Sequence, residues 1–230
     1  MSVLNGRRAV LFDMDGVLVD SYEPHWRSWA ESCAGRGLLI TREHYAELFG
    51  QSFRAFADAL SDRPLNEAEL REWYAEKEGR YRQIVEADFP EMPGASELIR
   101  SLHAAGYAMG VASSGPRENV DSLLRLLPAA GLLSAAISAD DVRRPKPDPE
   151  PFLACAARLG VAPAACVVIE DSIHGLTGAR AAGMKSVGVT GTSPADELAS
   201  YADLVVNSLR ELSPAGLGGL LSGARAGEAA

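Results

Sequence analysis

The run Ala9-Val10-Leu11-Phe12, closed by Asp13-Met14-Asp15-Gly16, constrains this chain more than any other stretch. So short an apolar run, ended by a glycine turn, reads as a fully buried strand of a parallel sheet whose carboxyl end opens into a loop. Two aspartates two positions apart at such an end cannot both be there for packing, because an unpaired carboxylate is too costly in an apolar interior. A divalent cation, which takes hard oxygen ligands, would account for them. One carboxylate could then act as a nucleophile while the other moves a proton. Taken alone, the pair is as well explained by an Asx turn closing a strand. The rest of the chain decides.

After Ser21 the pattern is helical without strand signals: Glu23 to Ala34, Arg42 to Leu48, Phe53 to Leu60, and Glu67 to about Val85. In the last segment Leu70, Trp73, Tyr74, Tyr81 and Ile84 fall at spacings that make one apolar face. From Pro93 onward helices alternate with short apolar runs at Ala108 to Ala112, Ala135 to Ile137, Val167 to Ile169, Ser186 to Val189 and Leu204 to Val206. That alternation predicts an α/β fold, a Rossmann-like parallel sheet wrapped by helices, with ligand chemistry at the carboxyl ends of the strands. The expected division is a catalytic core of residues 1–20 and 89–212, an inserted all-α cap of residues 21–88, and a flexible Gly/Ala-rich tail of residues 213–230.

At 230 residues the chain can hold one large domain and a small insertion. A net charge of −9 argues against a nucleic-acid or anionic-membrane surface, but not against a phosphorylated substrate, since a site can be locally positive. Cys33, Cys155 and Cys166 lack C-x-x-C spacing and are expected to be core thiols in a reducing cytosol. Arg7 and Arg8 precede only four apolar residues before Asp13, so no secretory leader is expected. No apolar stretch approaches membrane-spanning length either. A cytoplasmic location is the expectation.

Two further strand ends and one helix start carry polar chemistry. Ser113-Ser114-Gly115 follows the second strand, where a hydroxyl, exposed amides and the start of a helix near Pro116 could hold phosphate oxygens. Serines before a helix more often serve only as N-caps. Lys146 lies in Arg143-Arg144-Pro145-Lys146-Pro147-Asp148-Pro149, where prolines fix the backbone and start a helix near Asp148 or Pro149. Surface lysines seldom sit in so rigid a setting. Val167-Val168-Ile169 runs into Glu170-Asp171-Ser172, and adjacent carboxylates after an apolar strand repel each other unless a cation relieves them. His174, just beyond, reads as a solvated loop residue.

Phe12 to Ser21 (F-D-M-D-G-V-L-V-D-S), Ser113, the string K-P-x-P-x-x-F from Lys146 to Phe152, and the Glu170-Asp171 pair occur in one order. Over Ala9 to about Asn207 the chain resembles the haloacid dehalogenase superfamily, in its phosphatase and phosphomutase branch. The resemblance implies that Asp13 is the nucleophile forming an aspartyl-phosphate and that Asp15 is the acid/base. Ser113 would bind phosphate with help from Ser114 and the Gly115 amide, and Lys146 would offset developing charge. It also implies Mg²⁺ held by Asp13, the main-chain carbonyl of Asp15, Asp171, and Glu170 directly or through water. Dehalogenases and phosphonate-cleaving relatives lack an aspartate at the position of Asp15, which favours phosphate esters here.

Within the branch, the layout is similar to that of the β-phosphoglucomutases. His25 would assist Asp15, and Lys77 would reach substrate from the cap. His25 could equally be a helix-start histidine packing on Trp26 or Trp29, and Lys77 a surface residue. Where the mutases carry a phosphate-gripping arginine after Gly50-Gln51-Ser52, this chain has Phe53, with Arg54 one residue later. On a helix that shift turns a side chain by about 100°. The expectation is therefore a Mg²⁺-dependent phosphatase of a small phosphorylated metabolite, a sugar phosphate foremost, acting as a monomer or weak homodimer. A phosphomutase is the alternative and a non-catalytic phospho-ligand sensor a second. Intact Asp13, Asp15, Lys146 and Asp171 speak against a sensor.

Overall fold

The computed structural model describes residues 6–223. Ala9–Phe12 (β1), Ala108–Ala112 (β2), Ala135–Ile137 (β3), Cys166–Glu170 (β4), Lys185–Val189 (β5) and Leu204–Val206 (β6) form one sheet in the order β3-β2-β1-β4-β5-β6. All its pairings are parallel. β1, β2 and β4 are buried along their whole length, as expected for strands covered on both faces. The chain moves outward from β1 to β2 and β3 on one side and places β4, β5 and β6 on the other. The point where strand order reverses thus lies between β1 and β4, at whose carboxyl ends sheets of this kind place their ligand sites.

The helices are α1 (Tyr22–Ala34), α2 (Arg42–Leu48), α3 (Phe53–Leu60), α4 (Glu67–Ala87), α5 (Ala95–Ala104), α6 (Arg117–Leu126), α7 (Glu150–Leu159), α8 (Ile173–Ala181), α9 (Ala195–Leu198) and α10 (Pro214–Ser222). Phe152, Cys155, Ala156 and Leu159 of α7 and Ala179 of α8 pack on Ala9, Leu11, Ala108, Ala112 and Val168 of the sheet. The alternating residues Val10 and Phe12 are equally buried and point to the other face, while α5 contacts β2 and α10 contacts β4. β3 is an edge strand, and Arg117 and Arg158 both donate to its Ala136 carbonyl, at 3.3 and 2.6 Å, which occupies an otherwise open edge. All three cysteines are buried and unpaired; burial pushes Cys33 up to about 11 and Cys155 and Cys166 up to about 12.

One element departs from expectation. The stretch after Ser213, expected to be a flexible tail, holds α10. Its Leu217 is buried, the Ser213 side chain caps it by accepting from the Gly216 amide, and the Tyr107 hydroxyl donates to the Pro214 carbonyl at 2.9 Å. One well-buried leucine and a cap compensate for poor helix propensity. Residues 224–230 of the expected tail lie outside the described residues.

Contacts divide the chain into two compact units, one running up to Asp20 and again from Glu91, the other Ser21–Pro90. The second unit contains only helices, α1 to α4. Thr41, Ser52 and Asn66 cap three of them, Asn66 in a reciprocal box with Glu69. Its centre is aromatic: Trp29 stacks on Phe56 at 4.2 Å and on Phe53 at 5.0 Å, and Trp73 donates its indole N–H to Ser32 Oγ at 3.1 Å.

Candidate active site

Asp13 follows β1 directly and its amide donates to the Ile169 carbonyl of β4 at 2.9 Å, so the loops after the two central strands start from a shared point. Its carboxylate is nearly buried and accepts from Lys146 Nζ at 2.5 Å. The same ammonium donates to Glu170 Oε1 at 2.6 Å. Lys146 reaches both from the loop before α7, where it also lies 5.0 Å from the Phe152 ring. Asp13, Glu170 and Asp171 each present a carboxylate oxygen within 4.8 Å of the others, and all three are buried.

Charge is far from balanced there. Among the described residues, three buried carboxylates face Lys146 there, so acidic groups outnumber the cation beside them. Burial, moderated by Lys146 and reinforced by Glu170 and Asp15, pushes Asp13 up to about 7. Burial, with Glu170 and Asp13 adding repulsion, raises Asp171 well above the usual carboxylate range. Burial alone would lower Lys146, but Asp13 and Glu170 hold it above its ordinary value. An all-oxygen cluster of buried, mutually repelling carboxylates fits a hard divalent cation.

Glu170 is the last residue of β4 rather than the first of a loop. Its Oε2 accepts from the Ser172 amide and hydroxyl, both at 2.8 Å, above the first turn of α8. This explains Gly175, in the first turn of α8. A Cβ there would lie 1.8 Å from Glu170 Oε1. Gly175→Ala is expected to lower stability by about 1–3 kcal/mol, as overpacking does, and to displace Lys146 through Glu170; a thermal melt alongside an activity assay checks it. Gly16 is similarly constrained, with φ +78° and no room for a Cβ, which would meet Asp171 Oδ2 at 2.1 Å.

The loop after β2 brings the remaining core candidates together. Ser113 is buried, its amide donating to the Ile137 carbonyl at 2.9 Å. The Gly115 amide, expected to help bind phosphate, instead donates to Ser113 Oγ at 3.0 Å, closing a local hydroxyl turn. Ser114 is exposed. A Cβ built on Gly115 would lie 4.0 Å from Asp15 Oδ2, which places Asp15 beside this loop. His174 is exposed in the first turn of α8.

The candidates His25, Arg54 and Lys77 are placed within the Ser21–Pro90 unit. Lys77 is buried rather than a solvated surface residue, because its ammonium lies 2.8 Å from His25 Nδ1 and 2.9 Å from Glu78 Oε1. An ammonium can only donate, so Nδ1 of His25 must be bare. The His25 ring stacks on Tyr81 at 4.0 Å. Arg54 is exposed and pairs with Glu67 and, at 4.0 Å, with Asp58, while Phe53 belongs to the aromatic centre.

A residue that the sequence did not flag also touches the site. Thr192, in the loop after β5, donates its hydroxyl to Asp171 Oδ2. Its only signal was its position past a strand's carboxyl end.

The family model for haloacid dehalogenase-like hydrolases matches residues 10–189, from β1 to the end of β5. The chain belongs to that family. It is 33% identical to the validoxylamine A 7'-phosphate phosphatase of Streptomyces hygroscopicus subsp. limoneus, over 89% of this chain and 95% of that one. It is 30% identical to the β-phosphoglucomutase of Bacillus subtilis, over 90% and 92%. Among solved structures, a family IA hydrolase from Entamoeba histolytica superposes with a TM-score of 0.86 at 23% identity, covering 94% of this chain and 99% of that one; it attests the shared fold. Among the described residues, no helix is long and apolar enough to cross a membrane.

Proposed function

We propose that this protein is a Mg²⁺-dependent phosphatase of a small phosphorylated metabolite, a sugar phosphate by preference, working through an aspartyl-phosphate. The observation that carries the reading is the buried Asp13 carboxylate, 2.5 Å from Lys146 and grouped with Glu170 and Asp171. Asp13 attacks phosphorus, and Asp15 gives its proton to the departing alkoxide oxygen. Asp15 then takes a proton from the water that attacks the phosphorus of phospho-Asp13, releasing phosphate and freeing the carboxylate. Lys146 offsets negative charge on the transferring group, and the Ser113 hydroxyl donates to one of its oxygens. Asp13, Glu170 and Asp171 would hold Mg²⁺, which when bound neutralises charge around the phosphoryl group.

The similarity to a β-phosphoglucomutase supports a second reading, transfer to a sugar hydroxyl instead of water. A mutase must grip the non-transferring phosphate, and a bidentate arginine is suited to that. Here Phe53 is packed in the aromatic centre and Arg54 is paired with Glu67 and Asp58, which favours hydrolysis. The test is a screen of sugar phosphates, including β-glucose 1-phosphate with a trace of glucose 1,6-bisphosphate, following phosphate and glucose 6-phosphate together. Phosphate release without isomerisation is expected, lost in EDTA and restored by added Mg²⁺. Fast isomerisation with negligible phosphate release would decide for the mutase.

A further inference from the structure

We propose that Thr192 is a positioning residue for the cation site: its hydroxyl holds Asp171 Oδ2 and so fixes which oxygen Asp171 offers to the metal. The inference rests on the reading of Asp13, Glu170 and Asp171 as a Mg²⁺ site and adds to it a residue from outside the recognisable motifs. Asp171 is buried, and its Oδ2 is enclosed from two sides. Thr192 donates to it from the loop after β5. On the other side Gly16 approaches so closely that a Cβ would lie 2.1 Å away. With Oδ2 fixed in this way, Oδ1 is the oxygen left to join Asp13 and Glu170. A carboxylate with one oxygen engaged by a hydroxyl cannot rotate freely, so its orientation is set before the cation arrives.

The loop is built to deliver that hydroxyl. Thr190 anchors its start, the amide donating to the Val206 carbonyl at 3.0 Å and the hydroxyl to Asn207 Oδ1 at 3.1 Å. Leu198 of α9 is buried and fixes its far end, close over β5, where a Cβ on Gly188 would lie 3.3 Å from the Leu198 Cβ. Thr192 itself is exposed and contributes little packing. Its link to Asp171 is therefore separable from stability.

The test titrates Mg²⁺ calorimetrically, without substrate, into wild type, Thr192→Val and Thr192→Ser, with thermal melts run in EDTA. Valine keeps the shape and removes the donor; serine keeps the donor. Mg²⁺ affinity should fall about 10- to 100-fold in Thr192→Val, the range seen when a partner of a metal ligand is removed. Thr192→Ser should bind close to wild type, and all three should melt alike. In turnover, Thr192→Val should need more Mg²⁺ for half-maximal rate while reaching a similar kcat at saturation. Wild-type affinity in Thr192→Val, or equal loss in both variants, would overturn the positioning role and leave the metal site standing. Wild-type protein that takes up no Mg²⁺ would overturn the metal site itself, and the positioning role with it.

Discussion

Asp13→Asn should be folded and inactive. The substitution keeps the shape of the side chain at the end of β1 but removes the charge to which the proposed mechanism assigns the attack on phosphorus. Turnover should fall to the assay background, while circular dichroism and chromatographic behaviour stay as in wild type. The metal-free variant should also differ in how its stability depends on pH. Burial, Glu170 and Asp15 push Asp13 up to about 7, above its value of about 3.9 in an unfolded chain. For a carboxyl raised on folding, the stabilisation is complete below the unfolded value and is lost as pH rises through the folded one. Metal-free wild type should therefore weaken between about pH 4 and 7, and Asp13→Asn should flatten that part of the curve. Denaturant midpoints in EDTA across that range measure it.

Lys146→Ala should damage both chemistry and fold. Its ammonium is bonded to both Asp13 and Glu170, at 2.5 and 2.6 Å, and all three groups are buried. Deleting it leaves two desolvated carboxylates opposite each other, a change that costs about 3–5 kcal/mol in other buried pairs. Loss of a positioned donor to the transferring phosphoryl group should lower kcat by about 10²–10³. Because the lysine is not a metal ligand, Mg²⁺ affinity should not weaken, and Mg²⁺ should recover part of the lost stability by supplying the missing positive charge. Calorimetry and melts with and without Mg²⁺, beside saturating kinetics, separate these effects. A variant whose Mg²⁺ affinity collapses would place Lys146 in a different role.

Much of this was legible because the chemistry lies at the ends of short apolar runs. β1, β2, β3 and β6 coincide with runs bounded by turn residues. β4 and β5 extend further, to Cys166 and Glu170 and to Lys185, because sheet pairing such as Glu170 with Gly188 takes in residues whose polarity reads as loop. Asp13, Lys146, Glu170 and Asp171 stood out as charges where an apolar strand or a proline-fixed loop gives no other reason for them. The pairing of Lys77 with His25 did not, since the two come from different helices 52 residues apart. Nor did Thr192: Thr190-Gly191-Thr192-Ser193-Pro194 reads as an ordinary turn, and the carboxylate it serves lies 21 residues earlier. The bond from the Gly115 amide to Ser113 Oγ was not legible either, since a hydroxyl turn of this kind depends on the local backbone and not on residue spacing.

The central claim is that phosphoryl transfer passes through Asp13. The most direct measurement is acid quenching of the enzyme during turnover of its best sugar phosphate, followed by mass spectrometry of the peptide that contains residue 13. The account predicts the added mass of one phosphoryl group on Asp13, labile to hydroxylamine and missing from Asp13→Asn. Phosphate release from wild type with no modified Asp13 peptide at any quench time, together with turnover retained in Asp13→Asn, would contradict it.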